Sequence, residues 1–150
     1  LAERAPDLKG KLDANATATL ARIDALDAEL KAATAPLAGK PFIVFHDAYQ
    51  YFERRYGLQA AGSITLNPEV KPSARRLSAV RAKVKELGAT CVFAEPQFSP
   101  KIVASVIEGS TARAGELDPE GASLTNGPGL YEDLMRNLAR SLGDCLAPRS

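Results

Sequence analysis

The chain has 150 residues, 45% of them hydrophobic, with 19 basic and 18 acidic side chains, which is enough for one buried core and too little for two ordinary domains. A net charge of +1, with no tryptophan and no stripe of aromatic and basic residues, gives no electrostatic footprint for nucleic acid or an anionic membrane. No apolar run approaches the roughly 20 residues that a bilayer-spanning helix requires, and the chain opens inside a helical pattern, without Met or a signal-like segment, as a processed or truncated fragment would.

In chain order, residues 6–33 place Leu8, Leu12, Ala16, Leu20, Ile23, Leu26 and Leu30 at steps of three and four, which predicts one long amphipathic helix stopped by Pro36, Gly39 and Pro41. Such a helix is roughly 40 Å long at about 1.5 Å per residue, longer than a small domain is wide, so residues 1–36 read as a linker or spine. A self-associating coiled coil is the alternative. Phe42-Ile43-Val44-Phe45 then reads as a buried strand running into His46, the only histidine of the chain. A helix is expected from Asp47, with that carboxylate as its N-cap and Gly57 as its stop. Its stripe of Tyr49, Phe52 and Tyr56 predicts core packing.

Residues 58–66 alternate loosely around Gly62 and predict a second strand. Ser73 caps a helix over 74–87 whose Leu77, Val80, Val84 and Leu87 share one face, leaving a solvated basic face. Cys91-Val92-Phe93-Ala94 is a third strand ending at Glu95-Pro96, and Ser99-Pro100 opens the next helix. Residues 111–117 make a less apolar edge strand ending at Asp118-Pro119. After a Gly-rich loop, residues 130–146 form the last amphipathic helix. A helix followed by four strand–helix pairs predicts an α/β fold: a four-stranded, mainly parallel sheet flanked by helices and preceded by the spine.

A parallel sheet gathers the carboxyl ends of its strands along one edge, so His46, Glu95 and Asp118 form the candidate site. One imidazole with one or two carboxylates is a partial ligand set for a borderline divalent metal. A Cys–His nucleophilic pair is disfavoured because Cys91 starts its strand, opposite to His46. A small acid–base enzyme using His46 with Glu95 or Asp118 lacks an accompanying nucleophile or cofactor loop. Cys91 and Cys145 have no metal-type spacing; they are a disulfide if the element edges meet in space, or two separate buried thiols if they do not.

Four blocks, Val44-Phe45-His46-Asp47-Ala48-Tyr49, the run from Cys91 through Ala94-Glu95-Pro96-Gln97-Phe98, Leu117-Asp118-Pro119 and Cys145-Leu146, resemble the C-terminal half of the ZnuA-type zinc-binding proteins, solute-binding subunits of bacterial ABC importers in the cluster A-I metal-binding family. The resemblance implies a periplasmic receptor that captures Zn²⁺ between two α/β lobes for an ABC permease subunit. On it, residues 1–36 would be the helix joining the lobes and 37–150 the C-terminal lobe. It implies that His46 is the zinc ligand of this lobe and that Asp118 stands where manganese-binding relatives place a metal-ligating aspartate. Glu95 would lie beside the site, Asp47 near it, and Cys91 would pair with Cys145.

The family's further histidines come from an N-terminal lobe and a His-rich loop that this chain does not contain. One histidine leaves a tetrahedral Zn²⁺ short of ligands, so weak or shared zinc binding is expected. Loss of a lobe would also expose the spine helix, so a homodimer through that helix is expected. The alternatives in function are a structural or interaction module and a manganese-type receptor lobe.

Overall fold

The computed structural model describes residues 1–147. A single 3-10 turn leads into α1 (Lys9–Thr34), and the chain continues through β1 (Phe42–Val44), α2 (Gln50–Tyr56), β2 (Gly62–Ser63), α3 (Ala74–Glu86), β3 (Cys91–Ala94), α4 (Pro100–Ile107), β4 (Arg113–Glu116) and α5 (Leu130–Leu146). All strand pairs are parallel, in the order β2-β1-β3-β4. This is the expected four-stranded sheet, with β4 at an edge.

The two central strands, β1 and β3, are apolar at successive residues because both faces of the sheet are covered there. Phe42, Val44, Cys91 and Phe93 point into one core layer with Leu26 and Leu30 of α1, Phe52 of α2 and Leu138 and Leu142 of α5. Ile43, Phe45 and Val92 point into the other with Val80 and Val84 of α3 and Val103 and Val106 of α4. The chain leaves β1 for β2 in one direction and β3 for β4 in the other, which puts the switch in winding between β1 and β3. In open α/β sheets the crevice at that switch, beyond the carboxyl ends of the strands, is where ligands bind.

Ser73 caps α3 as expected, its hydroxyl accepting from the Arg76 amide at 3.2 Å. Ser99 stands at the N-cap of α4, but its side chain makes no cap bond there. The expected disulfide is present: Cys91 and Cys145 are joined at 2.06 Å and tie β3 to α5 across 54 positions. Closing a loop of that length stabilises by about 4 kcal/mol on the chain-entropy model.

Two local expectations are corrected. The second helix begins at Gln50, not Asp47, because His46 to Tyr49 form a turn with the Ala48 amide donating to the His46 carbonyl. Tyr49 takes the N-cap position and no side chain caps this helix; Asp47 instead accepts from the Gln50 side-chain amide at 2.8 Å. The second strand is only Gly62–Ser63, although its amide pairing with β1 runs on from Ala61 to Thr65; Leu66 is exposed. The exposure expected of the first helix is present: its stripe is buried at Leu26 and Leu30, whereas Leu20 and Ile23, and Leu8 just before the helix, face solvent.

The buried half of α1 is fastened by charge as well as packing. Asp27 accepts two bonds from Arg55 of α2, at 2.8 and 2.7 Å, and one ion pair from Lys31 at 2.8 Å. Those cations hold the Asp27 carboxyl far below the ordinary range. Glu29 pairs with Arg136 of α5. The helix is therefore anchored by its second half, and among the described residues Leu20 and the preceding Leu8 stay exposed.

Candidate metal centre

β1 and β3 are neighbours, so the residues that follow them, His46 and Glu95, come together at the winding switch. His46 Nδ1 lies 2.6 Å from Glu95 Oε1. The same oxygen receives the His46 backbone amide and the Tyr49 hydroxyl, each at 3.4 Å. Glu95 is 2% exposed, while the His46 side chain keeps 23% of its surface open. Burial pushes the Glu95 carboxyl above its ordinary pKa, and the neighbouring His46 opposes that rise.

A carboxylate at Nδ1 fixes the imidazole tautomer. With Nδ1–H donated to Glu95, the Nε2 lone pair is left for a ligand, and no group among the described residues hydrogen-bonds Nε2. This is the arrangement by which a carboxylate orients a metal-binding histidine.

Asp118 follows β4, one strand further along the edge. It is 4% exposed and organises the loop after it: Oδ1 accepts from the amides of Glu120 and Gly121 at 3.2 and 2.9 Å, and Oδ2 from that of Ser123 at 3.2 Å. Gln97 reaches Oδ1 and the Ser123 hydroxyl reaches Oδ2, both at 3.4 Å. Burial alone would raise its pKa, but the amides of Ala122, Ser123, Glu120 and Gly121 outweigh it and hold Asp118 below the usual value of 3.8. A carboxylate oxygen accepts about two bonds; the Glu120 and Gly121 amides already fill Oδ1, so Asp118 can take a metal only through Oδ2, by releasing the long contact to the Ser123 hydroxyl.

Asp47 is exposed and turned to Gln50; the structure does not bring it to the His46–Glu95 pair. Among the described residues no three His, Cys, Asp or Glu side chains converge as a metal cage. Two contacts were not legible in the sequence. The Tyr49 hydroxyl sits between Glu95 Oε1 and the Leu117 carbonyl, 3.4 Å from each, and Gln97 touches Asp118. For Tyr49 the available signal was a tyrosine in a buried stripe, since a buried hydroxyl needs a partner.

Residues 1–145 match the family model described as "Zinc-uptake complex component A periplasmic". The chain belongs to the ZnuA family. It is 54% identical over 147 residues to the high-affinity zinc uptake system protein ZnuA of Brucella suis, covering 98% of this chain and 44% of that protein. The protein of the same name from Paracoccus denitrificans is 48% identical over 147 residues, with 97% of this chain and 45% of that protein covered. The chain thus spans less than half the length of these relatives. In three dimensions it superposes on a crystal structure of ZnuA with a TM-score of 0.80 at 31% identity, over 97% of this chain and 52% of that one. The laminin-binding protein of Streptococcus agalactiae, described as bifunctional with adhesin and metal-transporting activity, gives 0.77 at 27% identity, over 94% and 56% of the respective chains.

Proposed function

We propose that this chain is one lobe of a periplasmic zinc-binding receptor for an ABC importer, with residues 37–150 as the C-terminal lobe and 1–36 as the helix leading into it. Its task is capture and handover of Zn²⁺ rather than catalysis. The observation that carries this reading is the 2.6 Å contact between His46 Nδ1 and Glu95 Oε1 at the winding switch, which leaves Nε2 as a nitrogen donor. The names of the relatives support zinc as the cargo and the periplasm as the place.

On this reading His46 is the lobe's primary ligand, Glu95 orients it, and Asp118 is the second ligand or the nearby negative charge. Asp47 lies near the site without joining it. A tetrahedral Zn²⁺ needs about four donors, so the lobe binds zinc weakly alone and shares the ion with groups from an N-terminal lobe. The permease subunit is the partner that receives the ion. Isothermal titration of the chain with Zn²⁺ and with Mn²⁺ tests this. Weak binding by wild type, with zinc preferred and His46→Ala abolishing it, is expected; equal binding by His46→Ala overturns the assignment.

The exposed stripe of Leu8, Leu20 and Ile23 favours self-association. It continues into a concave apolar surface of about 550 Å³ lined by Ile23, Tyr51, Tyr131 and Met135. A second copy covering this surface through α1 would produce a homodimer, which multi-angle light scattering reads directly. A monomer at high concentration contradicts it.

A further inference from the structure

The receptor reading uses His46, Glu95 and Asp118, and gives no role to the buried Tyr49 hydroxyl that touches Glu95. Tyr49 is 5% exposed, with its ring in the core layer beneath α1, α2 and α5. Its hydroxyl has two acceptors in reach, Glu95 Oε1 and the Leu117 carbonyl, each at 3.4 Å, and a phenol has one proton to give. Burial, with Glu95 and Asp118 nearby, holds Tyr49 as a neutral phenol. Of the two acceptors the carboxylate wins, because hydrogen bonds to an ionised oxygen are about twice as strong as those between neutral groups.

Glu95 needs that bond. All its donors meet at Oε1, and among the described residues no donor reaches Oε2. A carboxylate at a strand end, on three rotatable bonds, is held against His46 only by what contacts Oε1. Tyr49 is the one donor there that does not belong to His46 itself. Its ring is locked by packing, so it can fix the carboxylate independently of the imidazole.

Resting on the receptor reading above, we propose that Tyr49 is a positioning residue for the metal site: its hydroxyl holds Glu95 Oε1 on Nδ1 of His46 and so keeps the Nε2 lone pair presented to the cargo. Tyr49 touches neither metal nor water in this role. Phe at position 49 keeps the ring and removes only the proton that matters.

The test exploits His46 being the only histidine of the chain, so its two ring nitrogens give an unambiguous ¹⁵N signature. In metal-free wild type the Nδ1–H tautomer is expected alone, with the Tyr49 hydroxyl proton protected from exchange. In Tyr49→Phe both tautomers are expected, with zinc affinity lowered by about 3- to 10-fold, toward the lower end of what removing outer partners of a ligand costs. Tyr51→Phe, at a position 88% exposed, is expected to change neither. A wild-type tautomer in a folded Tyr49→Phe variant overturns the proposal, because the hydroxyl then serves Leu117 alone. Should that variant not fold, the wild-type hydroxyl decides: a proton exchanging at the solvent rate overturns the proposal, and a protected one showing a cross-peak to the His46 Nδ1 proton supports it. Absence of zinc binding by wild type defeats the receptor reading, while the metal-free tautomer comparison still decides the role of Tyr49.

Discussion

At the amino end of the sheet, the Cys91–Cys145 disulfide joins β3 to α5, and Arg113 donates to the Cys145 and Ala147 carbonyls. Two positions further along the same pair of strands, the Phe93 ring lies so close over Gly115 that an added Cβ would stand 2.5 Å from it and 3.3 Å from the Cys145 Cβ. At the carboxyl end, Glu95 and Asp118 are buried charges, the His46 ring is partly open, and Glu95 Oε2 has no donor among the described residues. One end is covalently stapled and closely packed; the other carries desolvated charge and spare bonding capacity. The stable end holds the strands in register, so that three side chains from three strands keep their spacing although their own contacts are costly.

Breaking the stapled end should produce the largest loss of stability. Replacing Cys91 and Cys145 together by serine is expected to cost about 2–5 kcal/mol, read as a lowered denaturant midpoint. Molecules still folded should retain their zinc response, because the site lies at the far edge. Gly115→Ala should cost about 1–3 kcal/mol by forcing the Phe93 ring aside, measured in the same way.

At the carboxyl end the order of effects reverses. Glu95→Gln should lower zinc affinity about 10- to 100-fold, the range for losing a carboxylate that orients a ligating histidine. Its melting temperature should fall little, since a raised-pKa carboxyl is replaced by a neutral group of the same shape. A large loss of stability with zinc binding intact would make Glu95 structural.

The smallest effect concerns Glu53, whose Oε2 accepts from the Ala60 amide at 2.9 Å while its buried Oε1 has no partner among the described residues. Burial raises its pKa above 4.5; the Ala60 amide opposes that rise and the Asp47 charge adds to it. The folded state therefore holds the Glu53 proton more tightly than the unfolded state. This contribution is complete below 4.5 and is lost as pH rises through the folded value. Asp118 has the opposite sign, with its contribution complete above 3.8 and lost as pH falls through its lower folded value. Melting temperature against pH should fall less steeply above 4.5 in Glu53→Gln than in wild type.

The strands and most helices were legible because apolar runs and helical periods are local properties. Phe42 to Phe45 and Cys91 to Ala94 are apolar at every position, which only a sheet covered on both faces requires. The start of α2 was misread because Asp47 before an aromatic stripe looks like a cap, whereas the turn after β1 consumes those residues. The extent of α1 was legible, but which half of its stripe is buried depends on what lies opposite it. Residues at the strand ends could be named from the sequence; the His46–Glu95 contact could not, because it depends on β1 lying beside β3. Tyr49 was visible only as an aromatic, since the partner of its hydroxyl comes from two other strands.

On the proposed function, His46 offers Nε2 to the cargo while Glu95 keeps the proton on Nδ1. A ¹⁵N-detected titration of the metal-free chain with Zn²⁺ tests this most directly through its single imidazole. Nε2 is expected to shift with added zinc, Nδ1 to stay protonated, and binding to be weak and readily reversed by chelator. Tight one-to-one binding by a monomer with the His46 resonances unmoved would contradict it.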